Sequence, residues 1–254
     1  MEAEPVTPRP PRDVGRLVFR QNWADLTFLH WAIEPGRLRL RLPPGVRPDV
    51  IDGVTYVGLV PFRMRDVGAG LGPALPYFGS FLETNVRLYT VDEQGRRGVV
   101  FISLDASRLA PVLAARWGPG LPYLWSKMTY HRTGDLVAYS CRRRWPGPRG
   151  ARSRIAVRVG ARVEAGPLEH FLTARWGLHL PAGPVDRMRA GSNRTYYWPN
   201  SHEPWPLHIA TVERLDDELL AAAGFGDLTA RPPDSVLFSP GVRAIFGPRL
   251  PAHG

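Results

Sequence analysis

The stretch SFLETNVRLYTVDEQGRRGVVFISLDA, residues 80–106, contains two β-rich runs joined by a turn. Alternate residues of an extended strand point to opposite faces. In residues 80–91 one face carries Phe81, Glu83, Asn85, Arg87 and Tyr89, while the other is mainly apolar. The segment DEQGRRG then leads into VVFISLDA, a second run of β-branched and aromatic residues. The sequence therefore predicts an antiparallel hairpin with one polar face.

Runs of the same character recur on both sides of this hairpin and predict further strands. They are WADLTFLHWAI (23–33), VTYVGLVPFRM (54–64), PYLWSKMTYHRT (122–133), DLVAYSCRRRW (135–145), SRIAVRVGARVE (153–164), SNRTYYWPN (192–200), PLHIATVERL (206–215) and SVLFSPGVRAIFG (235–247), the last read as a strand pair. Short helices or turns are predicted in EPGRLRLRLPPGV (34–46), SRLAPVLAARWG (107–118), GPLEHFLTARWGL (166–178) and DDELLAAAGFG (216–226).

About ten strands with short connections favour an antiparallel sheet, and a sheet of that size usually closes to hide its edges. We expect a mainly β (α+β) fold, a closed antiparallel barrel or cone with a few short helices. It should occupy residues 15–254 as a single domain. Residues 1–14 contain several prolines and few large apolar groups, which predicts a flexible N-terminal tail.

Composition narrows the class of protein. The chain has 254 residues, 44% of them apolar, and a formal net charge of +10. One cysteine permits no intrachain disulfide, and no signal sequence or membrane span is recognisable, so we expect a cytoplasmic protein with no membrane partner. The arginines are spread along the chain without a zinc-finger, helix-turn-helix or RNP signature, which argues against a nucleic-acid partner.

Lys127 is the only lysine among 33 basic residues. Arginine does not lose its proton in a protein, whereas a buried lysine can do so and become a nucleophile. Lysine retained where arginine is otherwise always used is therefore a candidate catalytic residue, and Trp125 should share its strand face. The alternative is a neutral surface residue that survived in an arginine-rich chain.

The polar face of residues 83–87 is the second candidate. Glu83, Asn85 and Arg87 lie between two aromatic residues on an otherwise apolar strand. Large aromatic side chains are usually covered, which favours a polar cavity in which Glu83 moves a proton or orients a substrate. A solvated Glu–Arg pair on the protein surface is the alternative.

The histidines and the single cysteine give weaker evidence for a functional site. His30 lies in an apolar strand, where a histidine is more often a hydrogen-bonded core residue than a base. None of the histidines shows metal-ligand spacing, so we expect no metal and no cofactor. Cys141 precedes three arginines but is more simply a small buried residue.

Several blocks resemble a known family. NWADLTFLHWAI, LRLRLPPGV, FLETNVRLYT, LPYLWSKM, GPLEHFLTARWGL and VLFSPGVRAIFG are similar, in this order, to sequences of the DUF2071 (YqjF-like) family of bacterial proteins, over about residues 20–248. That family looks like a branch of the acetoacetate decarboxylase-like superfamily. The resemblance implies a closed antiparallel sheet around a central, largely apolar cavity.

The resemblance also implies a site. In the decarboxylase a cavity lysine forms a Schiff base with a keto acid, a neighbouring lysine activates it, and a glutamate and an arginine complete the pocket. Lys127 and Glu83 fall in the corresponding regions. Ser126 stands where a second lysine would precede Lys127, so burial or the charge of Arg63 or Arg87 would have to activate the amine. The family arginine maps near Ala32, two residues after His30.

Two readings follow. The first is a lyase-, decarboxylase- or aldolase-like enzyme with Lys127 and Glu83 as catalytic residues and a small keto acid or carboxylate as ligand. The ligand would be bound by Arg87, Asn85, Arg63, His30 and Trp125. The second is a non-catalytic small-molecule binder or sensor on the same fold. Barrels with exposed Trp-Pro loops, such as EPWP at residues 203–206, often associate, so a homo-oligomer is one of the expected states.

Overall fold

The structure is a computed structural model that describes residues 2–190 and 194–252. Ser192 and Asn193 of one predicted strand, and the last two residues of the predicted domain, lie outside the described residues. The strands are β1 (Phe19–Ile33), β2 (Val46–Pro48), β3 (Thr55–Ala69), β4 (Phe81–Asp92), β5 (Arg97–Ala106), β6 (Tyr123–Thr133), β7 (Leu136–Trp145), β8 (Arg152–Arg162), β9 (Gly177–Pro181), β10 (Thr195–His202), β11 (His208–Asp217), β12 (Ser235–Phe246) and β13 (Leu250–Pro251). The α-helices are α1 (Leu109–Trp117), α2 (Pro167–Thr173), α3 (Pro184–Ala190) and α4 (Leu219–Ala222), with 3₁₀ helices at Pro35–Arg41 and Gly226–Ala230.

The strands form one sheet that closes on itself in two rings. The first, the core ring, runs β4-β3-β1-β12-β11-β8-β7-β6-β5 and closes by pairing of β5 with β4. The second, the cavity ring, runs β4-β3-β1-β12-β10-β9-β5 and uses the same closure. Most pairings are antiparallel, and β5 pairs in parallel with β6 and β9. The expected mainly β fold with a closed sheet and few short helices is confirmed.

The core ring is filled by apolar side chains. Val86 and Leu88 of β4 point into it, where they join fully buried residues of β1, β3, β7 and β8. Leu219 and Leu220 of α4 and Phe225 fill the remaining space. Full burial of each such side chain contributes roughly 1.5–3 kcal/mol, so this ring holds a large share of the driving force for folding.

The other face of the shared strands lines the cavity ring. On β4 the alternation places Glu83, Asn85 and Arg87 there. On β5 a bulge between the pairs formed by Val86 and Arg87 shifts the register, so that Phe101 and Leu104 both face the cavity despite their odd spacing.

Two segments differ from the sequence prediction. The stretch 235–247 forms a single strand and not a strand pair. At its middle Gly241 adopts a φ of +128°, a conformation that glycine allows, and the strand continues alongside β1. A Cβ at this position would collide with the Trp23 carbonyl oxygen. The helix predicted over 166–178 ends at Thr173, and Gly177 begins β9 because its backbone packs against the Tyr197 ring, leaving no room for a Cβ. The sequence patterns did not predict β9 or α3.

Residues 2–14 contact the sheet. The Glu4 backbone N–H donates to the Gly95 carbonyl oxygen at 2.9 Å, the Arg97 backbone N–H donates to the Glu4 carboxylate at 2.9 Å, and Val14 is buried. These contacts join the segment to the domain, while its predicted flexibility in solution stays a prediction. Within the described residues no helix is long and apolar enough to cross a membrane.

Candidate ligand-binding cavity

A cavity of about 110 Å³ lies inside the cavity ring. Its wall is largely aromatic and aliphatic, formed by Phe19, Trp23, Leu26, Val60, Phe62, Met64, Val99, Phe101, Leu104, Leu121, Leu178, Trp198, Trp205 and Phe246. The polar atoms come from Gln21, Glu83, Asn85, Arg87, Tyr123, Thr173, Arg175, Asn200 and His202. On this measure one water molecule needs roughly 10–15 Å³, so the volume is sufficient for a small molecule.

Glu83 is a buried carboxyl group in this cavity. The Tyr123 hydroxyl donates a hydrogen bond of 2.7 Å to Glu83 Oε2, and Asn85 Nδ2 donates one of 3.4 Å to Oε1. Burial raises the pKa of Glu83 to about 7, although both hydrogen bonds oppose the shift. The carboxyl is therefore divided between its two protonation states near neutral pH. Asn85 Oδ1 is buried without a hydrogen-bond partner among the described residues, so this oxygen can accept a hydrogen bond from a ligand.

Arg87 brings a positive charge to the cavity. Its Nε donates to the Tyr89 hydroxyl at 3.1 Å and its Nη2 to the Leu172 carbonyl oxygen at 3.0 Å. Gly58 on the adjacent β3 permits this packing, because a Cβ there would lie 3.1 Å from Arg87 Cγ. No carboxylate in residues 2–190 and 194–252 forms an ion pair with Arg87, so its charge is not neutralised within the fold.

Arg175 adds a second cation beside the first. Its guanidinium lies 4.7 Å from the Tyr89 ring centroid, and that of Arg87 lies 5.5 Å from the same centroid. Asp49 pairs with both Arg175 and Arg97, so this group keeps a net positive charge. Arg175 Nη2 is buried with no hydrogen-bond partner in the described part of the chain. This end of the cavity therefore favours an anion.

His202 lies in the aromatic wall. Its ring centroid is 4.4 Å from that of Trp176 and 4.8 Å from that of Trp205. Burial lowers the pKa of His202 to about 4, so the ring is neutral at physiological pH. Nδ1 lies 2.7 Å from the Glu203 carbonyl oxygen and must carry the proton, which leaves Nε2 as an acceptor.

Two predicted binding residues lie outside the cavity. Arg63 alternates with Phe62 and Met64, which line the cavity, so its side chain leaves β3 on the opposite side and pairs with Asp25 at 2.9 Å. His30 is fully buried behind the wall, with Nε2 2.5 Å from the Tyr89 hydroxyl oxygen. Burial, and then the charges of Arg87 and Arg175, lower the pKa of His30 well below its usual value.

Lys127 and Trp125 are also outside the cavity. Tyr123, at the start of β6, pairs with Leu104 of β5 and donates its hydroxyl to Glu83, and the pairing of β5 with β6 ends at Trp125. Lys127 lies two residues beyond that point and is exposed in a surface groove, which Trp125 shares. Lys127, the predicted imine-forming residue, therefore does not share the cavity with Glu83.

The sequence patterns missed Tyr123, Arg175 and His202. The sequence places Tyr123 only in a strand, and its contact with Glu83 depends on the parallel pairing of β6 with β5, which no sequence pattern predicts. Arg175 follows α2 in an irregular segment where no periodicity applies, and His202 ends β10 before the Pro-Trp-Pro turn. Among the described residues, no cluster of three histidine, cysteine or acidic side chains is arranged to hold a metal ion.

Comparison with solved structures identifies the architecture. The chain is similar to acetoacetate decarboxylase from Legionella pneumophila, with a TM-score of 0.64 at 15% identity over 92% of this chain and 86% of that one. It is also similar to the enduracididine biosynthesis enzyme MppR complexed with pyruvate, with a TM-score of 0.63 at 14% identity over 94% and 91%. A third similar structure is an acetoacetate decarboxylase-like enzyme from Sphingomonas wittichii, with a TM-score of 0.62 at 15% identity over 95% of each chain. At these identities the likeness shows the fold alone.

Sequence comparison gives the family. The uncharacterized protein YqjF of Bacillus subtilis is 31% identical over 202 residues, which span 78% of each chain. The profile of DUF2071, described as an uncharacterized conserved protein family, matches residues 20–243. The chain therefore belongs to the DUF2071 family and has the acetoacetate decarboxylase-like fold.

Proposed function

We propose that the cavity binds a small carboxylate with a short apolar body, of the 2-oxo acid class. Arg87 would bind the carboxylate, the aromatic wall would contact the body, and the Glu83–Tyr123 pair would donate a hydrogen bond to a keto oxygen. The observation that carries the proposal is the Arg87 guanidinium, which enters an apolar cavity with no carboxylate partner among the described residues.

Electrostatics support an anion. An unpaired charge in an apolar cavity is costly unless a counter-charge arrives. At pH 6 the Glu83 carboxyl is mostly protonated, because its pKa is about 7, so Arg87 and the Arg175 group leave this cavity net positive. A similar fold carries pyruvate in MppR, which is consistent with a ligand of this size.

Chemistry at the ligand would be proton transfer and not imine formation. A carboxyl whose pKa is about 7 can both donate and accept a proton near neutral pH, which is what a general acid–base requires. Lys127 supplies no nucleophile there because its amine is outside the cavity. The alternative is a non-catalytic binder or sensor, which needs Arg87 and the wall but no proton transfer by Glu83.

The test is calorimetric titration at pH 6 with pyruvate and with its neutral amide. Pyruvate should bind and the amide should bind at least about tenfold more weakly. Arg87→Gln should weaken pyruvate binding about 10- to 100-fold, since a hydrogen-bonded charge contributes roughly 1.5–3 kcal/mol. Arg87→Lys, which keeps the charge but not the forked geometry, should lose less.

Arg63→Gln is the matched control, because it removes one arginine charge outside the cavity. It should leave pyruvate affinity unchanged. Thermal melts verify that each variant is folded. If pyruvate and other short carboxylates fail to bind, or if Arg63→Gln weakens binding as much as Arg87→Gln, the proposal is wrong.

A further inference from the structure

The outer face of β6, β7 and β8 carries a regular array of cations. Lys127 pairs with Arg142 across β6 and β7, and Arg142 pairs with Arg152 across β7 and β8. In the next row Thr129 pairs with Ser140, and Ser140 with Arg154. All six side chains lie on one sheet face and line one surface groove of about 200 Å³. We call these six residues the cationic array.

The spacing brings the charges close together. Directly opposed residues on neighbouring antiparallel strands have Cβ atoms roughly 4.5–5.5 Å apart, and residues two apart along a strand are separated by roughly 7 Å. Lys127, Arg142 and Arg152 therefore span about 10 Å across three strands, with Arg154 beside Arg152. Like charges directly opposed on a sheet are destabilising.

The same face shows how the fold neutralises charge elsewhere. Arg158, four residues after Arg154 on β8, donates to Glu213 at 2.8 Å and to Asp135 at 3.1 Å. None of the four cations in the array forms an ion pair with a carboxylate in the part of the chain that the structure describes. Opposed arginines without counter-ions are an arrangement that folding alone does not favour.

Hydroxyl groups complete the array. Thr129 Oγ1 and Ser140 Oγ lie 2.6 Å apart between the cations. The pair holds two hydroxyl protons, and only one can bridge the two oxygens, so the other can be donated to a ligand acceptor. Guanidinium groups bind phosphate oxygens in a bidentate manner, and hydroxyls add neutral donors.

We propose that the cationic array binds a compact anion with two linked phosphate groups, either inorganic diphosphate or the diphosphate of a nucleotide. The compactness follows from the border of the array. On β11 Asp216 stands opposite Arg154 and is paired with Arg214, and Glu218, which follows β11, accepts a hydrogen bond from the Arg152 backbone N–H at 3.0 Å. The Glu218 carboxylate, which forms no ion pair in the described part of the chain, repels a polyanion that extends past this edge.

The test is calorimetric titration of the full chain with sodium diphosphate, ADP, sodium phosphate and a 20-nucleotide single-stranded RNA in about 0.15 M salt. Diphosphate should bind at least about tenfold more tightly than phosphate, because it engages more of the array. Equal affinities for ADP and diphosphate would mean that the site recognises the diphosphate group alone. Tighter binding of ADP would mean that the ligand is a nucleotide. Both results support the proposal.

Variants locate the site. Arg142→Gln should weaken diphosphate binding about tenfold or more, which is the loss of one charged hydrogen-bonding group, and Lys127→Gln should weaken it less. Arg158→Gln is the matched control, because it removes one arginine from the same strand face where carboxylates already neutralise it. Equal losses in Arg142→Gln and Arg158→Gln, no binding of diphosphate, or tighter binding of the RNA than of diphosphate would each overturn the proposal.

Discussion

The core ring and the cavity ring share β1, β3, β4, β5 and β12, yet they enclose different interiors. The core ring is packed with side chains that α4 and Phe225 complete, whereas the cavity ring keeps a void with charged groups at its wall. A single strand shows both environments: Val86 and Leu88 of β4 enter one ring, and Glu83 and Arg87 enter the other. The packed core and the cavity thus lie on opposite faces of the same backbone.

The largest expected effect on the free energy of unfolding is in the core ring. Leu88→Ala should lower the free energy of unfolding by about 2–5 kcal/mol, because a fully buried leucine leaves a cavity in a rigid core. Leu104→Ala, in the cavity wall, should cost roughly half as much, since that side chain already borders an empty space and makes fewer contacts. Chemical denaturation measures both values, and equal losses would contradict the distinction between the rings.

The next effect concerns Glu83. Its pKa rises from 4.5 in the open chain to about 7 on folding, so between these values the folded state holds a proton that the unfolded state has released. This contribution to stability is full below pH 4.5 and is lost as the pH rises to about 7. The loss is on the order of 3 kcal/mol, at 1.36 kcal/mol for each pKa unit.

Glu83→Gln removes this titration. The difference in unfolding free energy between the wild type and Glu83→Gln should therefore fall by that amount between pH 4.5 and pH 7. Urea denaturation at several pH values measures it. Glu93→Gln, which changes an exposed carboxyl on the same hairpin, is the control. A difference that does not vary with pH would show that Glu83 is not buried as described.

The smallest expected effect is at Lys127. Lys127→Gln should change the free energy of unfolding by less than about 0.5 kcal/mol, as is usual for exposed positions, and should leave pyruvate affinity unchanged. Reduction with borohydride in the presence of pyruvate should leave no adduct on Lys127, which mass spectrometry can determine. An adduct at this residue would show that the cavity extends to the open face.

Residue periodicity and turn residues are enough to predict most strands and the helices α1, α2 and α4. The strand β4 is the best example, because the alternation of its residues predicts its two faces residue by residue. Local patterns failed at Gly241, where a neighbouring strand lets β12 continue, and at Gly177, where packing against the Tyr197 ring begins a strand in place of the predicted helix. Those contacts are remote in sequence and leave no local pattern.

The site was predictable to a smaller extent. Glu83, Asn85 and Arg87 were grouped correctly on one face, since a strand repeats every two residues. Their roles in binding and catalysis stay predictions. Lys127 was placed with them on chemical grounds, while Tyr123 and Arg175, which do contact the cavity, carried no signal beyond their residue types.

The sequence by itself determined most of the strands, the polar and apolar faces of β4 and membership of the DUF2071 family, because these depend on local periodicity and on runs of residues along the chain. Only the tertiary structure decided which part of a polar face is enclosed. The face shared by Tyr123 and Lys127 is buried at Tyr123, which lies in a core cluster with Val112 of α1 and bonds Glu83, and is open to solvent at Lys127. Enclosure depends on which elements pack over each part of a sheet face, and that is a property of the assembled fold.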